Sequence, residues 1–166
     1  MIGRWLQVVL LAATILIASC ASNTTAIDSN EAQNRVWTGR LGLQVETSDA
    51  QPAQSFSASF ELSGNAQAGQ LVLITPLGST LAVLSWQPGE ALLREGQQMR
   101  RFDTLNELSE KAIGTALPIA ALFNWLQGLN TQVQGWQVDV SQLPRRLILH
   151  RASPLPQAQL RLVIDP

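Results

Sequence analysis

Ser55-Phe56-Ser57-Ala58-Ser59-Phe60-Glu61-Leu62 is the stretch that decides the fold. Polar and apolar residues alternate through it without a break, and alternate side chains of a strand point to opposite faces, so this segment makes a strand with one apolar and one wet face. Upstream, Leu41, Leu43 and Val45 alternate with Arg40, Gln44 and Glu46 in the same way. Downstream, Gly64-Asn65 and Gly69 bound a connection into Leu71-Val72-Leu73-Ile74, and Thr75-Pro76-Leu77-Gly78 turns the chain into residues 80–86. Pro88-Gly89 and Glu95-Gly96 mark two more turns, around strands at 91–94 and 98–102. Turn residues at this spacing predict an antiparallel meander of about six strands. Residues 71–74 and 81–84 are apolar on both faces, which fits either burial on both sides or an apolar hollow on one.

The period then changes. Thr104 and Glu107 have capping-box spacing, Leu105, Leu108, Ala112 and Ile113 form one apolar stripe, and Gly114 ends the helix. A second helix opens at Pro118, carries Ile119, Leu122, Phe123 and Leu126 on one face with Trp125 beside it, and stops at Gly128. Strands resume at 136–140, 146–151 and 160–164. A helical pair inside an antiparallel meander predicts a mainly β, α+β fold: a curved sheet whose concave face is covered by the helices.

Ahead of this domain the first nineteen residues have the plan of an export signal. Arg4 is followed by the apolar run 6–17 and by small residues before Cys20. The run is too short to span a bilayer, which takes about 20 apolar residues. Ile17-Ala18-Ser19-Cys20 resembles the lipobox of bacterial lipoproteins, in which the cysteine is lipidated and the peptide is cut before it. An ordinary secretory signal with a chance thiol is the alternative. Cys20 is the only cysteine in the chain and cannot form an internal disulfide. Ala21 and Ser22 follow it, where lipoproteins kept in the inner membrane commonly carry Asp, so the resemblance points to the outer membrane. Residues 20–35 then read as a lipidated, polar tether without apolar periodicity, and 36–166 as a single domain.

Cleavage before Cys20 removes one base and no acid, moving the net charge from −1 to −2. Nucleic acid is excluded as a partner, because such binding rests on clustered Lys and Arg. Only 14% of residues are charged, leaving more aliphatic residue than a small core needs. Enzymatic motifs are missing as well: there is no Gly-rich phosphate loop, H-E-x-x-H, cysteine pair or G-x-S-x-G elbow. His150, the one histidine, lies in a strand with a solvent-facing or hydrogen-bonded role, and no catalytic residue, cofactor or metal is expected. Of the carboxylates Asp103, Glu107, Glu110 and Asp139, the first three belong to a helix start and its solvated face, where negative charge is favourable.

The ordered segments resemble the LolB family of outer-membrane lipoproteins. The resemblance is carried by the lipobox cysteine, Trp37-Thr38-Gly39-Arg40-Leu41-Gly42, Phe56-Ser57-Ala58-Ser59-Phe60, the run 69–80, Leu117-Pro118 and Trp125-Leu126-Gln127-Gly128. It implies a half-open antiparallel β-barrel with a helical lid over an apolar cavity for acyl chains. It also implies a protruding loop whose leucine helps insert cargo into the membrane. Pro76, Leu77 and Gly78 match that loop, although an apolar turn residue tucked onto the core is the alternative for Leu77. The chain is shorter than typical members and has only a brief strand region after Pro154-Leu155-Pro156.

On this resemblance the protein is a monomer that takes lipoproteins from a LolA-type periplasmic carrier, keeps their acyl chains dry and passes them to outer-membrane phospholipid. Candidate cavity residues are Leu41, Leu43, Phe56, Phe60, Leu71, Leu73, Leu81 and Val83 from the strands, with Leu122, Phe123 and Leu126 from the lid. Two other classes stay open. A structural lipoprotein scaffolding an outer-membrane assembly predicts a filled core, and an envelope hydrolase requires Asp139 or Asp103 beside a second acid.

Overall fold

Residues 35–49 and 52–166 are described by the computed structural model. The readings on the signal peptide, on Cys20 and on most of the tether lie outside the described residues. Six strands come first, β1 (Val36–Val45), β2 (Gln54–Gly64), β3 (Gly69–Ile74), β4 (Thr80–Gln87), β5 (Glu90–Glu95) and β6 (Gln98–Phe102). Helices α1 (Leu105–Ile113) and α2 (Ile119–Leu126) follow, then β7 (Trp136–Asp139), β8 (Arg146–Arg151) and β9 (Ala158–Ile164). This is the order that the periodicities predict.

All nine strands form one sheet in the order β6-β5-β4-β3-β2-β1-β9-β8-β7, and every neighbouring pair is antiparallel. The last strand returns to lie beside the first, so the two hairpin runs join at β1 and β9. The sheet remains open, with β6 and β7 as its edges, and is not closed into a barrel.

Its inner face is built from rows of leucine set by the register. Leu62, Leu71, Leu84 and Leu93 stand opposite one another across β2 to β5. On the other side Leu41, Leu162 and Leu147 make a second row and Leu43, Leu160 and Leu149 a third. All belong to one buried cluster with Leu108, Ile113, Ile119 and Trp125 of the helices. Burying one such side chain contributes about 2 kcal/mol, so these rows are a large share of what holds the helices on the sheet.

The helices form where the sequence places their signals. The hydroxyl of Thr104 accepts the Glu107 N–H at 3.2 Å, and Gly114 takes the left-handed conformation, donating its N–H to the Glu110 carbonyl at 2.9 Å. Ser109 fixes the short link to α2: its buried hydroxyl accepts the Leu117 N–H and donates to the Asn106 carbonyl, both at 2.9 Å. α1 lies against β4, β5 and β6. Among the described residues no helix is long and apolar enough to cross a membrane.

Candidate functional site

The connection between β3 and β4 is a short, internally bonded turn. Thr75 donates its N–H to the Ser79 carbonyl at 2.8 Å and accepts the Gly78 N–H on its own carbonyl at 2.9 Å, while its hydroxyl accepts the Ser79 N–H at 3.2 Å. Gly78 has φ 83°, a conformation that glycine adopts without steric cost, and Pro76 presets the first corner. Backbone groups are thereby satisfied within the turn, and Leu77 at its tip is 94% exposed. It is not tucked onto the core.

Eight of the other candidates come together on the inner face. Leu41, Leu43, Phe60, Leu71 and Leu73 from the strands and Leu122, Phe123 and Leu126 from α2 are members of the buried cluster, and Phe56 packs at its border. Leu81 and Val83 do not join them. Leu73 pairs with Ala82 and Leu71 with Leu84, which puts Ala82, Leu84 and Trp86 on the inner face and Leu81 and Val83 on the outer one. Leu81 is 40% exposed there, whereas Val83 is 6% exposed between the strands that flank it. The reason is the unbroken apolar run 81–84, whose residues offer no period from which to choose a face.

Two tryptophans outside the candidate set organise this face. The Phe123 ring meets Trp37 edge-on at 5.6 Å between centroids and Trp86 at 6.1 Å, so α2 touches β1 and β4 through one aromatic cluster. Trp86 donates its indole N–H to the Asn65 carbonyl at 3.0 Å, and Trp125 donates to the Thr131 carbonyl at 2.8 Å. Gly69 stands opposite Trp86 on β3, and a Cβ there would press on the indole. No local pattern in the sequence singles Trp86 out, because Gly69 and Trp86 face each other only once β3 and β4 are paired. Phe123→Leu leaves part of the ring's volume unfilled and loses both edge-to-face contacts, each contributing about 0.5–1.5 kcal/mol. It is expected to lower stability by about 1–3 kcal/mol in urea unfolding and to change the tryptophan emission.

The charged groups do not assemble a reaction centre. His150 is exposed, with its Nε2 3.3 Å from the Gln159 amide nitrogen. Asp139 is held below the usual carboxylate range by hydrogen bonds from the Ser141 side chain and backbone, the N–H at 2.9 Å. No group of three or more His, Cys, Asp or Glu side chains able to hold a metal occurs among the described residues. Among the described residues Arg151 is the one buried base. It donates to the Pro156 carbonyl at 2.9 Å and lies 6.0 Å from the Trp136 ring centroid, and burial holds its pKa below the ordinary value against the opposing pull of Glu110.

Comparison with known proteins places this geometry. The family model for outer membrane lipoprotein LolB matches residues 34–147, which takes in β1 to β7 and both helices. The outer-membrane lipoprotein LolB of Cupriavidus necator is 30% identical, with 99% of this chain and 97% of that protein covered by an alignment of 193 positions. Its counterpart in Cupriavidus pinatubonensis is 31% identical over 99% of this chain and 95% of its own length. The Bordetella petrii protein of the same name is 28% identical over 90% and 87%. On the match to the family model and the similarity over nearly the whole chain, this protein belongs to the outer membrane lipoprotein LolB family.

Proposed function

We propose that the protein receives lipoproteins from a LolA-type periplasmic carrier, shelters their acyl chains against the inner face of its sheet and inserts them into the outer membrane. The family is one of outer-membrane lipoproteins and not of enzymes. The reading of the N-terminal residues supplies the anchor: a signal peptide at 1–19, lipid on Cys20, a tether to residue 35 and a monomeric domain from 36 to 166. The observation that carries the proposal is Leu77, an almost fully exposed leucine on a turn whose backbone is already satisfied. Nothing in the fold requires an apolar side chain there, whereas a bilayer rewards one by about 2 kcal/mol.

Exposing an acyl chain to water costs about 0.8 kcal/mol per methylene, on the order of 10 kcal/mol for one chain. Transfer between two proteins therefore needs an apolar surface at each end. Leu41, Leu43, Phe56, Phe60, Leu71 and Leu73, with Leu122, Phe123 and Leu126 from the helix above them, provide that surface when α2 lifts from the sheet. α2 is short and has no side-chain cap on its first turn, and lifting it uncovers the apolar side chains of Ile119, Ala121, Leu122, Phe123, Trp125 and Leu126 together with the sheet beneath them. Without a nucleotide site, direction comes from relative affinity: cargo moves to the tighter surface and then to the bilayer.

The scaffold reading is favoured by one observation, the filled inner face. Leu62, Leu73, Leu84 and Leu93 have no accessible surface, so no water-sized space touches them. The two readings part in one experiment. Carrier loaded with a radiolabelled lipoprotein is mixed with purified protein and then with liposomes. The receptor reading expects label to move to the protein and on to the liposomes; label that stays on the carrier makes the protein a scaffold.

A further inference from the structure

The outer face holds a site that neither the family match nor the acyl-chain reading uses. Gly42 on β1 lies opposite Ser57 of β2 and Arg161 of β9, and its strand neighbour Arg40 lies opposite Val163. Arg40 and Arg161 are thus diagonal neighbours on one face of an antiparallel pair, about 7–8 Å apart or somewhat less at their Cβ atoms. A Cβ built on Gly42 meets no atom within 4 Å. The missing side chain leaves a furrow of about 360 Å³ floored by glycine, with both arginines and the hydroxyl-bearing Ser55 and Ser57 along it.

Among the described residues neither arginine has a carboxylate partner, since the ion pairs there are Arg100–Glu95 and Arg101–Glu90. Glu61, the acid of β2 on this face, stands opposite Thr38 and is a diagonal neighbour of Arg40 on the side away from Arg161, without forming an ion pair with it. Arg146, opposite Val163 from β8, adds a third positive charge and is hydrogen-bonded only to Gln142 at 3.3 Å. Two arginines lining an open, hydroxyl-bearing hollow have the chemistry for a tetrahedral oxyanion, which each guanidinium can hold with paired N–H donors.

The furrow also runs towards the exposed leucine. Arg40 and Ser57 line a second hollow together with Ser59 and Pro76, the residue before Leu77. Val163, between Arg40 and Arg146, is 42% exposed and apolar. Cations beside an exposed apolar tip are what a phospholipid surface meets with phosphate above and hydrocarbon below.

We infer that Arg40 and Arg161 form a phosphate site for phospholipid headgroups, so that the outer face of β1 and β9 lies along the leaflet while Leu77 enters it. This rests on the reading of Leu77 as a membrane contact. An acidic surface of the carrier is the other anion to be tested.

The mature chain without its lipid is suited to the test, because strands β1 to β9 and both helices pack into or against one buried cluster among the described residues. Cys20→Ala protein of residues 20–166 is titrated with vesicles of phosphatidylcholine alone and of phosphatidylcholine with phosphatidylglycerol. Binding is expected to be tighter to the second. Each arginine near an anionic surface contributes about 1 kcal/mol, so Arg40→Gln with Arg161→Gln should weaken binding by about 30-fold and abolish the preference. Gly42→Gln fills the hollow without changing charge or adding an apolar side chain for the bilayer and should weaken binding as well. Soluble glycerophosphate should compete poorly; full competition would make the site one for free phosphate and overturn the membrane assignment. If Leu77→Glu loses vesicle binding while the arginine pair and Gly42→Gln bind like the parent, the headgroup site is wrong and the loop reading stands. If the arginine pair binds vesicles normally but no longer takes cargo from the carrier, the furrow belongs to the carrier. If Leu77→Glu binds normally and the arginine variant does not, the headgroup site stands and the loop reading fails.

Discussion

Protein carrying Leu77→Glu is expected to take a lipoprotein from a LolA-type carrier at the parent's rate and to release almost none of it to liposomes. The two halves of that result have separate causes. Leu77 is 94% exposed on a turn closed by Thr75, Ser79 and Gly78, so replacing it removes no packing and no hydrogen bond from the fold. Acceptance depends on the inner face, which the turn does not enter. Delivery is different. A leucine entering the bilayer gains about 2 kcal/mol, a factor of about 30 in partitioning, and glutamate forfeits this and adds the penalty of burying a charge. Leu77→Met keeps an apolar side chain and should deliver nearly as the parent does. Equal delivery by Leu77→Glu and the parent in the liposome step would remove the loop from the mechanism.

How far the sequence discloses such a protein depends on what each residue has to encode. Ser55 to Leu62 alternates cleanly because β2 has a wet outer face and a buried inner one, and its register against β1 follows. Thr104 and Gly114 announce α1 through local chemistry: the Glu107 N–H bonds to the Thr104 hydroxyl and Gly114 closes the far end, although among the described residues the Glu107 carboxylate does not return the bond to Thr104 that a full capping box has. The run 81–84 discloses less. β4 is apolar on both faces, so Leu81 and Val83 read like inner residues until Leu73 is seen to pair with Ala82. The pairing of β1 with β9 is hidden for another reason: it joins residues at opposite ends of the domain, and no local pattern encodes a partner that distant. The outer furrow shares that origin, since Arg40 and Arg161 become neighbours only through this pairing. Leu77 could be singled out by resemblance, but its exposure depends on how Thr75 closes the turn.

The pairing that the sequence hides is also where the fold should be most sensitive to a single methyl group. Gly39 pairs with Phe60 on one side and Ile164 on the other, with φ 156°. A Cβ placed there would run into the carbonyl oxygen of Val163 and stand 3.0 Å from the Ile164 Cα, both backbone atoms that cannot turn aside. β9 would have to move away from β1, and with it the leucine rows through which β8 and β9 complete the inner face. Gly39→Ala should therefore cost at least about 3 kcal/mol, a large fraction of the roughly 5–15 kcal/mol that holds a domain together. The same substitution three residues on gives the comparison. Gly42 is in the same strand with open space over it, and Gly42→Ala should be neutral or stabilise by up to about 1 kcal/mol, because alanine lowers the entropy of the unfolded chain. Urea midpoints of the two variants read the difference directly. If Gly39→Ala unfolds within about 0.5 kcal/mol of Gly42→Ala, β1 and β9 do not approach as closely as this register requires, and the outer furrow between Arg40 and Arg161 loses its geometry with them.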